Sequence, residues 1–207
     1  MMPTLRPHDL LWLTDREALE GVSEEWVTSQ WRPALPVVVR RDVEREGRVP
    51  VGVRGMRRDQ RAAGWVHPAS VKRVVSPETL SSRELLLNSA FVSMPPVQAA
   101  IQLASRPWTW CWGITGSVGY ALATEVPVMH AASDLDLLIR SPQPLAKEVL
   151  AEWQSLTDKL LCRADTQIET PYGAFALAEW LREKRVLLKT NQGPQLVANP
   201  WQPEDNG

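Results

Sequence analysis

Two rhythms of apolar residues alternate along this chain. Near the N-terminus an apolar step, Leu10-Leu11-Trp12-Leu13, leads into Thr14-Asp15-Arg16-Glu17. That tetrapeptide has the form of a capping box and predicts a short helix to Gly21. Ser23 can cap a second helix carrying Trp26, Val27 and Gln30, and Pro33 and Pro36 exclude helix beyond it. Leu35 to Arg41 is β-branched and reads as a strand. Arg45-Glu46-Gly47-Arg48 reads as a turn, and Val49 to Arg54 as the hairpin partner, with Pro50 near its start. Val71 to Val75 is a further strand candidate, and Ser76-Pro77-Glu78 opens a helix through Leu87. A domain boundary is expected near residue 80, dividing an Arg-rich α+β domain (1–80) from a second domain (81–207).

The second part is more regular. Pro95-Pro96 precedes Val97, Ala100, Ile101 and Ala104 at helical spacing, ended by Pro107. Trp108 to Ile114 is an aromatic strand, followed by Gly116-Ser117 and a short helix to Thr124. Ser133 to Arg140 reads as a strand in which Leu135, Leu137 and Ile139 alternate with Asp134, Asp136 and Leu138. Leu145 to Leu161 carries Leu145, Val149, Trp153, Leu156 and Leu160 on one helical face. Arg163 to Glu169 alternates as a strand whose polar face bears Arg163, Asp165, Gln167 and Glu169. A helix from about Ala174 to Lys184, a short strand at Val186 to Lys189 and an irregular tail from Gly193 complete the reading. From residue 95 helices and strands alternate, which points to a small mixed sheet covered by helices.

Composition changes this picture little. The chain has 207 residues, 44% hydrophobic and 23% charged, with net charge −1, ordinary for a soluble globular protein. Nothing in that balance draws it to nucleic acid or membrane. Cys111 and Cys162 lack metal-type spacing and read as buried thiols in a reducing compartment. No apolar run approaches a membrane span, and the N-terminus lacks the apolar core of a signal peptide, so a cytoplasmic location is expected. The ten tryptophans read as packing residues.

Charge distribution is more informative. Between Arg32 and Arg61 nine Arg face four acidic residues, so that segment is +5 and the remainder −6. Arg40, Arg41, Arg54, Arg57, Arg58 and Arg61 suit bidentate contacts to phosphate or carboxylate. Their other use is to cover a solvated hairpin with their stems. They are candidates for clamping a phosphorylated donor or for receiving an acidic protein.

The chemistry centres on residues 116–140. Asp134 and Asp136 share one strand face, where two carboxylates need a counter-charge. A hard divalent cation supplies it, Mg²⁺ when phosphates are present, with Mn²⁺ as a substitute. Gly116 and Ser117 form a small-residue turn into a helix, where backbone N–H groups can approach a phosphate. A third metal ligand is expected from the next acidic strand. Asp165 and Glu169 are about 13 Å apart at strand rise, so one metal site takes only one of them. Asp165, in mid-strand, is the favoured ligand; Glu169 is the rival and a candidate general base. His8 and His67 fit local hydrogen bonding, His130 reads as a loop residue, and all three stay outside the candidate site.

Gly-Ser before a helix, the Asp-x-Asp strand and a later acidic strand resemble the nucleotidyltransferase superfamily of polymerase β, over roughly residues 95–185. Sixteen residues, 118–133, separate Ser117 from Asp134, a longer spacer than is usual there. Arg6-Pro7-His8-Asp9-Leu10, Leu35 to Arg41, Gly52 to Arg58 and Asp134 to Leu138 extend the likeness to nearly the whole chain. Together these segments resemble the phosphoribosyl-dephospho-CoA transferases of malonate decarboxylase, also called malonate decarboxylase holo-acyl-carrier-protein synthases. The resemblance implies a nucleotidyltransferase-like C-terminal domain. The donor would be 2′-(5″-triphosphoribosyl)-3′-dephospho-CoA and the acceptor a serine of the acyl-carrier subunit, with pyrophosphate released. An equivalent transferase for the citrate lyase carrier, or an ATP-using nucleotidyltransferase, would share the same metal chemistry. A non-catalytic adaptor would instead use the Arg hairpin to bind an acidic partner.

Overall fold

The computed structural model describes residues 4–203 and divides the chain into two compact units, Met1–Ser76 and Pro77–Gly207. Both mix sheet and helix, as the expected α+β class requires. The sequence places the division near residue 80. In the structure the 3-10 turn Pro77–Ser81 belongs with the second unit, where Ser81 Oγ donates to Trp112 O at 2.9 Å.

The first unit is a five-stranded antiparallel sheet in the order β4-β3-β2-β1-β5. Its strands are β1 (Leu10–Leu13), β2 (Val37–Val39), β3 (Val49–Arg54), β4 (Arg61–Val66) and β5 (Val71–Val75). Leu11, Leu13, Val37, Val39, Val51 and Val53 form its core, against Val27 and Trp31 from the segment containing α1 (Trp26–Gln30). The expected β2–β3 hairpin is present, with Val39 opposite Val51. Glu46 and Gly47 both take positive φ (51° and 74°), so the turn is the two-residue kind that suits strand twist.

Three local expectations change. The helix to Gly21 is only a 3-10 turn, Arg16–Ala18, and its cap is Asp15, which accepts from Ala18 N–H at 2.9 Å, rather than Thr14. Glu25, not Ser23, precedes α1, and it makes no side-chain cap. Strand β4 was not expected, because Ala62, Ala63 and Gly64 have weak β propensity. Gly64 is there for room: a Cβ would stand 2.9 Å from Leu19 and 2.8 Å from Val22.

The second unit is a six-stranded mixed sheet in the order β11-β10-β9-β8-β7-β6. Strand β6 is Cys111–Thr115, β7 Leu135–Arg140, β8 Ala164–Thr170, β9 Gly173–Ala176, β10 Val186–Thr190 and β11 Gly193–Val197. Only β7 and β8 run parallel, and α5 (Lys147–Thr157) makes the crossover between them. Helices α2 (Arg83–Leu87), α3 (Pro95–Ala104), α4 (Gly116–Thr124) and α6 (Leu177–Arg182) complete the unit. Helix α5 is pinned by Trp153, whose indole donates to Thr166 Oγ1 at 2.9 Å and meets Trp108, Trp110 and Trp112 at ring-centroid distances of 4.8–6.0 Å. A second aromatic cluster joins Phe175, Trp180 and Trp201.

The helix expected from Ala174 begins only at Leu177, because Gly173–Ala176 is strand. Gly173 lies against β10 so closely that a Cβ would stand 2.4 Å from Lys189 O. The tail is not irregular at its start: Gly193–Val197 pairs with β10, and Pro194 is tolerated because β11 is the sheet edge. The helix expected through Leu87 is interrupted, with Ser82 capping α2 by accepting from Leu85 N–H.

Candidate active site

Thr115 ends β6 and lies opposite Asp136 in the antiparallel register, while Asp136 lies opposite Asp165 in the parallel register of β7 and β8. Gly116, at φ 66°, turns the chain from β6 directly into α4. The turn brings backbone against carboxylate. A Cβ on Gly116 would stand 2.2 Å from Asp136 Oδ2, so only glycine leaves room for that side chain. The Thr115 side chain caps none of the first-turn N–H groups of α4. Such N–H groups suit an anion. Ser117, half-buried, is the second residue of that turn.

Asp134 immediately precedes β7, and the Leu135 N–H beside it donates to Arg163 O at 2.8 Å. Cys162 lies next to it. Burial pushes the Cys162 thiol above its ordinary range, and the Asp134 charge adds to that, against an opposing hydrogen bond from Leu135 N–H. Upstream, His130 N–H donates to Ser133 Oγ (2.9 Å) and Ser133 N–H to His130 O (3.0 Å), closing the long spacer on itself. The His130 side chain is exposed, and buried Met129 anchors the loop instead.

Asp165 is half-exposed, and its Oδ2 lies 3.4 Å from Arg163 Nε. Arg163 is the charged neighbour to which the sequence reading gave no role. Its signal is an Arg two positions before an Asp in an alternating strand, which places both on one face. Glu169 is elsewhere. It lies opposite Arg140, whose Nη1 meets Glu169 Oε1 at 2.9 Å and whose Nε meets Glu78 Oε1. That buried network holds the 77–81 turn to the sheet, four residues along β8 from Asp165.

The fit of a divalent cation rests on the donors present. Asp134, Asp136 and Asp165 offer hard oxygen ligands on adjacent strands, next to an uncapped helix start. Among the described residues no three His, Cys, Asp or Glu side chains converge as a metal cage. Mg²⁺ is usually held by one or two carboxylates plus substrate phosphates, so these residues fit a cation shared with a phosphorylated ligand.

The Arg set splits in two. Arg40 follows β2, donates from Nε to Val51 O (2.9 Å), meets Asp42 at 2.7 Å and lies 5.0 Å from the Trp65 ring centre, as does Arg45. The Arg40 guanidinium holds the Asp42 carboxyl below its usual range. Arg41 is next to it. Arg54 and Arg61 lie opposite each other at the other end of β3, with Arg57 and Arg58 in the turn between them. Strand rise puts the two groups roughly 10 Å or more apart. One cluster in the sequence is two in space. No helix among the described residues is long and apolar enough to cross a membrane.

Comparison with known proteins agrees with this division. Residues 6–77 match the family described as phosphoribosyl-dephospho-CoA transferase MdcG N-terminal domain, and residues 85–200 match its C-terminal domain. A phosphoribosyl-dephospho-CoA transferase of Klebsiella pneumoniae (strain 342) is 64% identical, over 99% of this chain and 100% of its own. Proteins of the same name from Pseudomonas putida (strain GB-1) and Azotobacter vinelandii are 42% and 40% identical, over 95% of this chain and 95% and 94% of theirs. No solved structure matches. The chain belongs to the phosphoribosyl-dephospho-CoA transferase family of enzymes.

Proposed function

We propose that this protein transfers a phosphoribosyl-dephospho-CoA group from 2′-(5″-triphosphoribosyl)-3′-dephospho-CoA to a serine of the acyl-carrier subunit of malonate decarboxylase, in the cytoplasm. The carrier serine oxygen forms a bond to the α-phosphorus. The bond from that phosphorus to the β-phosphate oxygen breaks, and pyrophosphate leaves. The serine proton passes to water or to a nearby carboxylate.

The observation that supports this reading is the Asp136 carboxylate seated against the Gly116 backbone, at the uncapped start of α4 and level with Asp165. The first-turn N–H groups of α4, with Ser117, receive the leaving phosphates. Asp134 and Asp136 would hold Mg²⁺ together with the donor's phosphates, and Asp165, on the neighbouring strand, would be drawn in as third carboxylate only when cation and donor bind. The cation, when bound, offsets the charge that develops on the transferring and leaving oxygens. Arg163 is placed to leave Asp165 and meet a donor phosphate, since its pairing there is exposed and weak. In this arrangement the second unit is a nucleotidyltransferase-like domain.

Mass spectrometry of purified apo-carrier subunit, incubated with this protein, donor and Mg²⁺, tests the reading. A mass gain equal to the prosthetic group on a serine is expected, abolished by EDTA and restored by added Mg²⁺ or Mn²⁺. No gain with a folded protein and intact donor would end the proposal. Equal or faster modification of the citrate lyase carrier would reassign the partner.

A further inference from the structure

The turn between β3 and β4 is built to be rigid, yet it exposes an apolar side chain among cations. Gly55 N–H donates to Gln60 O (3.0 Å) and Gln60 N–H to Arg57 O (3.0 Å). Two glutamine amides hold the remaining backbone. Gln60 Oε1 accepts from Arg57 N–H at 3.1 Å, and Gln30 Oε1, from α1, accepts from Met56 N–H at 2.7 Å. Gly55 is required for this packing, because a Cβ there would stand 2.5 Å from Gln60 Cβ. With its backbone so held, the turn sends Met56 outward, 85% exposed. Arg57 and Arg58 are exposed beside it, and Arg54 and Arg61 face each other at its base. Residues 54–61 hold four Arg and one Asp, a net +3.

We infer that this tip is a docking surface for an acidic protein surface carrying an apolar residue, and that its partner is the acyl-carrier subunit. The inference rests on the transfer reading above for the partner's identity. Three observations favour a protein over the phosphorylated donor. The tip is a convex turn, whereas a small ligand needs a concavity. Met56 is a typical adaptable anchor at protein interfaces, and the triphosphate end of the donor, the part that would meet these cations, cannot use it. The proposed donor site belongs to the second unit, net −4 over residues 77–207, whereas the first unit is +3 over residues 1–76 and draws a separate acidic partner.

The test measures affinity of the full chain for labelled apo-carrier subunit by fluorescence anisotropy, and for donor by calorimetry. Arg57→Ala with Arg58→Ala should weaken carrier binding about tenfold at low salt, the loss fading by about 0.5 M salt. Met56→Ala should weaken it about threefold at either salt, since apolar contact is not screened. Donor affinity should stay at the wild-type value in both. Carrier affinity unchanged in both variants, or donor affinity lost instead, overturns the inference. Heparin binding lost in parallel with carrier binding also overturns it, as that marks a general polyanion site. A wild-type protein that modifies the carrier serine while the variants bind normally sinks the docking surface alone. A wild-type protein that binds carrier through the tip but modifies nothing sinks the transfer reading alone.

Discussion

Each of the two sheets sets one pair of like charges directly opposite across adjacent strands. In the second unit it is Asp136 and Asp165, in the first Arg54 and Arg61. Such pairs disfavour the strand pairing that makes them, by a few tenths to about 1 kcal/mol. Their surroundings differ in the way their proposed partners do. The acidic pair lies where Gly116 draws backbone N–H groups against a carboxylate, which suits a small cation and phosphates. The basic pair lies at the base of an exposed turn with Met56 at its tip, which suits a surface. One site is defined by the room a missing Cβ leaves, the other by what the backbone pushes out.

The acidic pair is the sharper place to break this comparison. Asp136→Asn keeps the size and packing of the side chain and removes the charge. Transfer is expected to fall at least about a hundredfold, the scale of losing one preorganised electrostatic partner. Circular dichroism should be unchanged, which separates lost chemistry from a lost fold. Turnover within a few fold of wild type would show that the pair does no chemistry.

The next largest effect belongs to Arg140, which separates structural charge from functional charge on the same strand. It is buried between Glu78 and Glu169. Arg140→Met leaves two partly buried carboxylates without their counter-charge and should cost about 3–5 kcal/mol in urea denaturation. Glu169→Gln should cost less and leave transfer per folded molecule unaltered. A collapse of transfer in a stable Glu169→Gln protein would return that residue to the role of base.

Much of this was legible in the chain. The alternation of Leu135, Leu137 and Ile139 with Asp134 and Asp136 marks the strand, although Leu138 and Arg140 on the Asp face are buried as well, and Gly-Ser before a helical pattern marks the turn. Three things were hidden. Strand β4 has Ala and Gly where a β-branched pattern would be expected, and at Gly64 the neighbours Leu19 and Val22 leave no room for a Cβ. Glu169 stays a rival to the favoured Asp165 in the sequence because alternation gives the face of a strand but not which end meets the site. The register, Asp136 to Asp165 and Arg140 to Glu169, separates them. The Arg residues looked like one cluster because proximity along the chain was taken for proximity in space. An antiparallel hairpin sends Arg40 and Arg54 to opposite ends of β3.

Gly116→Ala probes the contact between backbone and carboxylate more gently. Left-handed backbone costs an alanine about 1–2 kcal/mol, and its Cβ must displace Asp136 from 2.2 Å. A comparable loss in the urea midpoint is expected. Transfer should fall roughly a hundredfold through a misplacement of about 1 Å. Stability lost with transfer intact would mean that Asp136 can work from another position.

The smallest effect is expected at Arg40, and it tests whether the two Arg groups differ in kind. Arg40 is engaged inside its own unit, by Val51 O, Asp42 and the face of Trp65. Removing it should be felt in the fold before it is felt by any partner. Arg40→Ala forfeits a cation–π contact and a half-exposed ion pair, together about 1 kcal/mol. Asp42 loses the guanidinium that depresses its pKa, so its contribution, present above the carboxylate's unfolded pKa, shrinks. The deficit against wild type should therefore be larger at neutral pH than at an acid pH low enough to protonate Asp42 in both proteins. Urea melts at the two pH values measure that difference. Carrier affinity should move far less than in the Arg57 and Arg58 double variant. A larger loss of carrier binding at Arg40, with stability untouched, would show that the partner reads both ends of β3 as one surface.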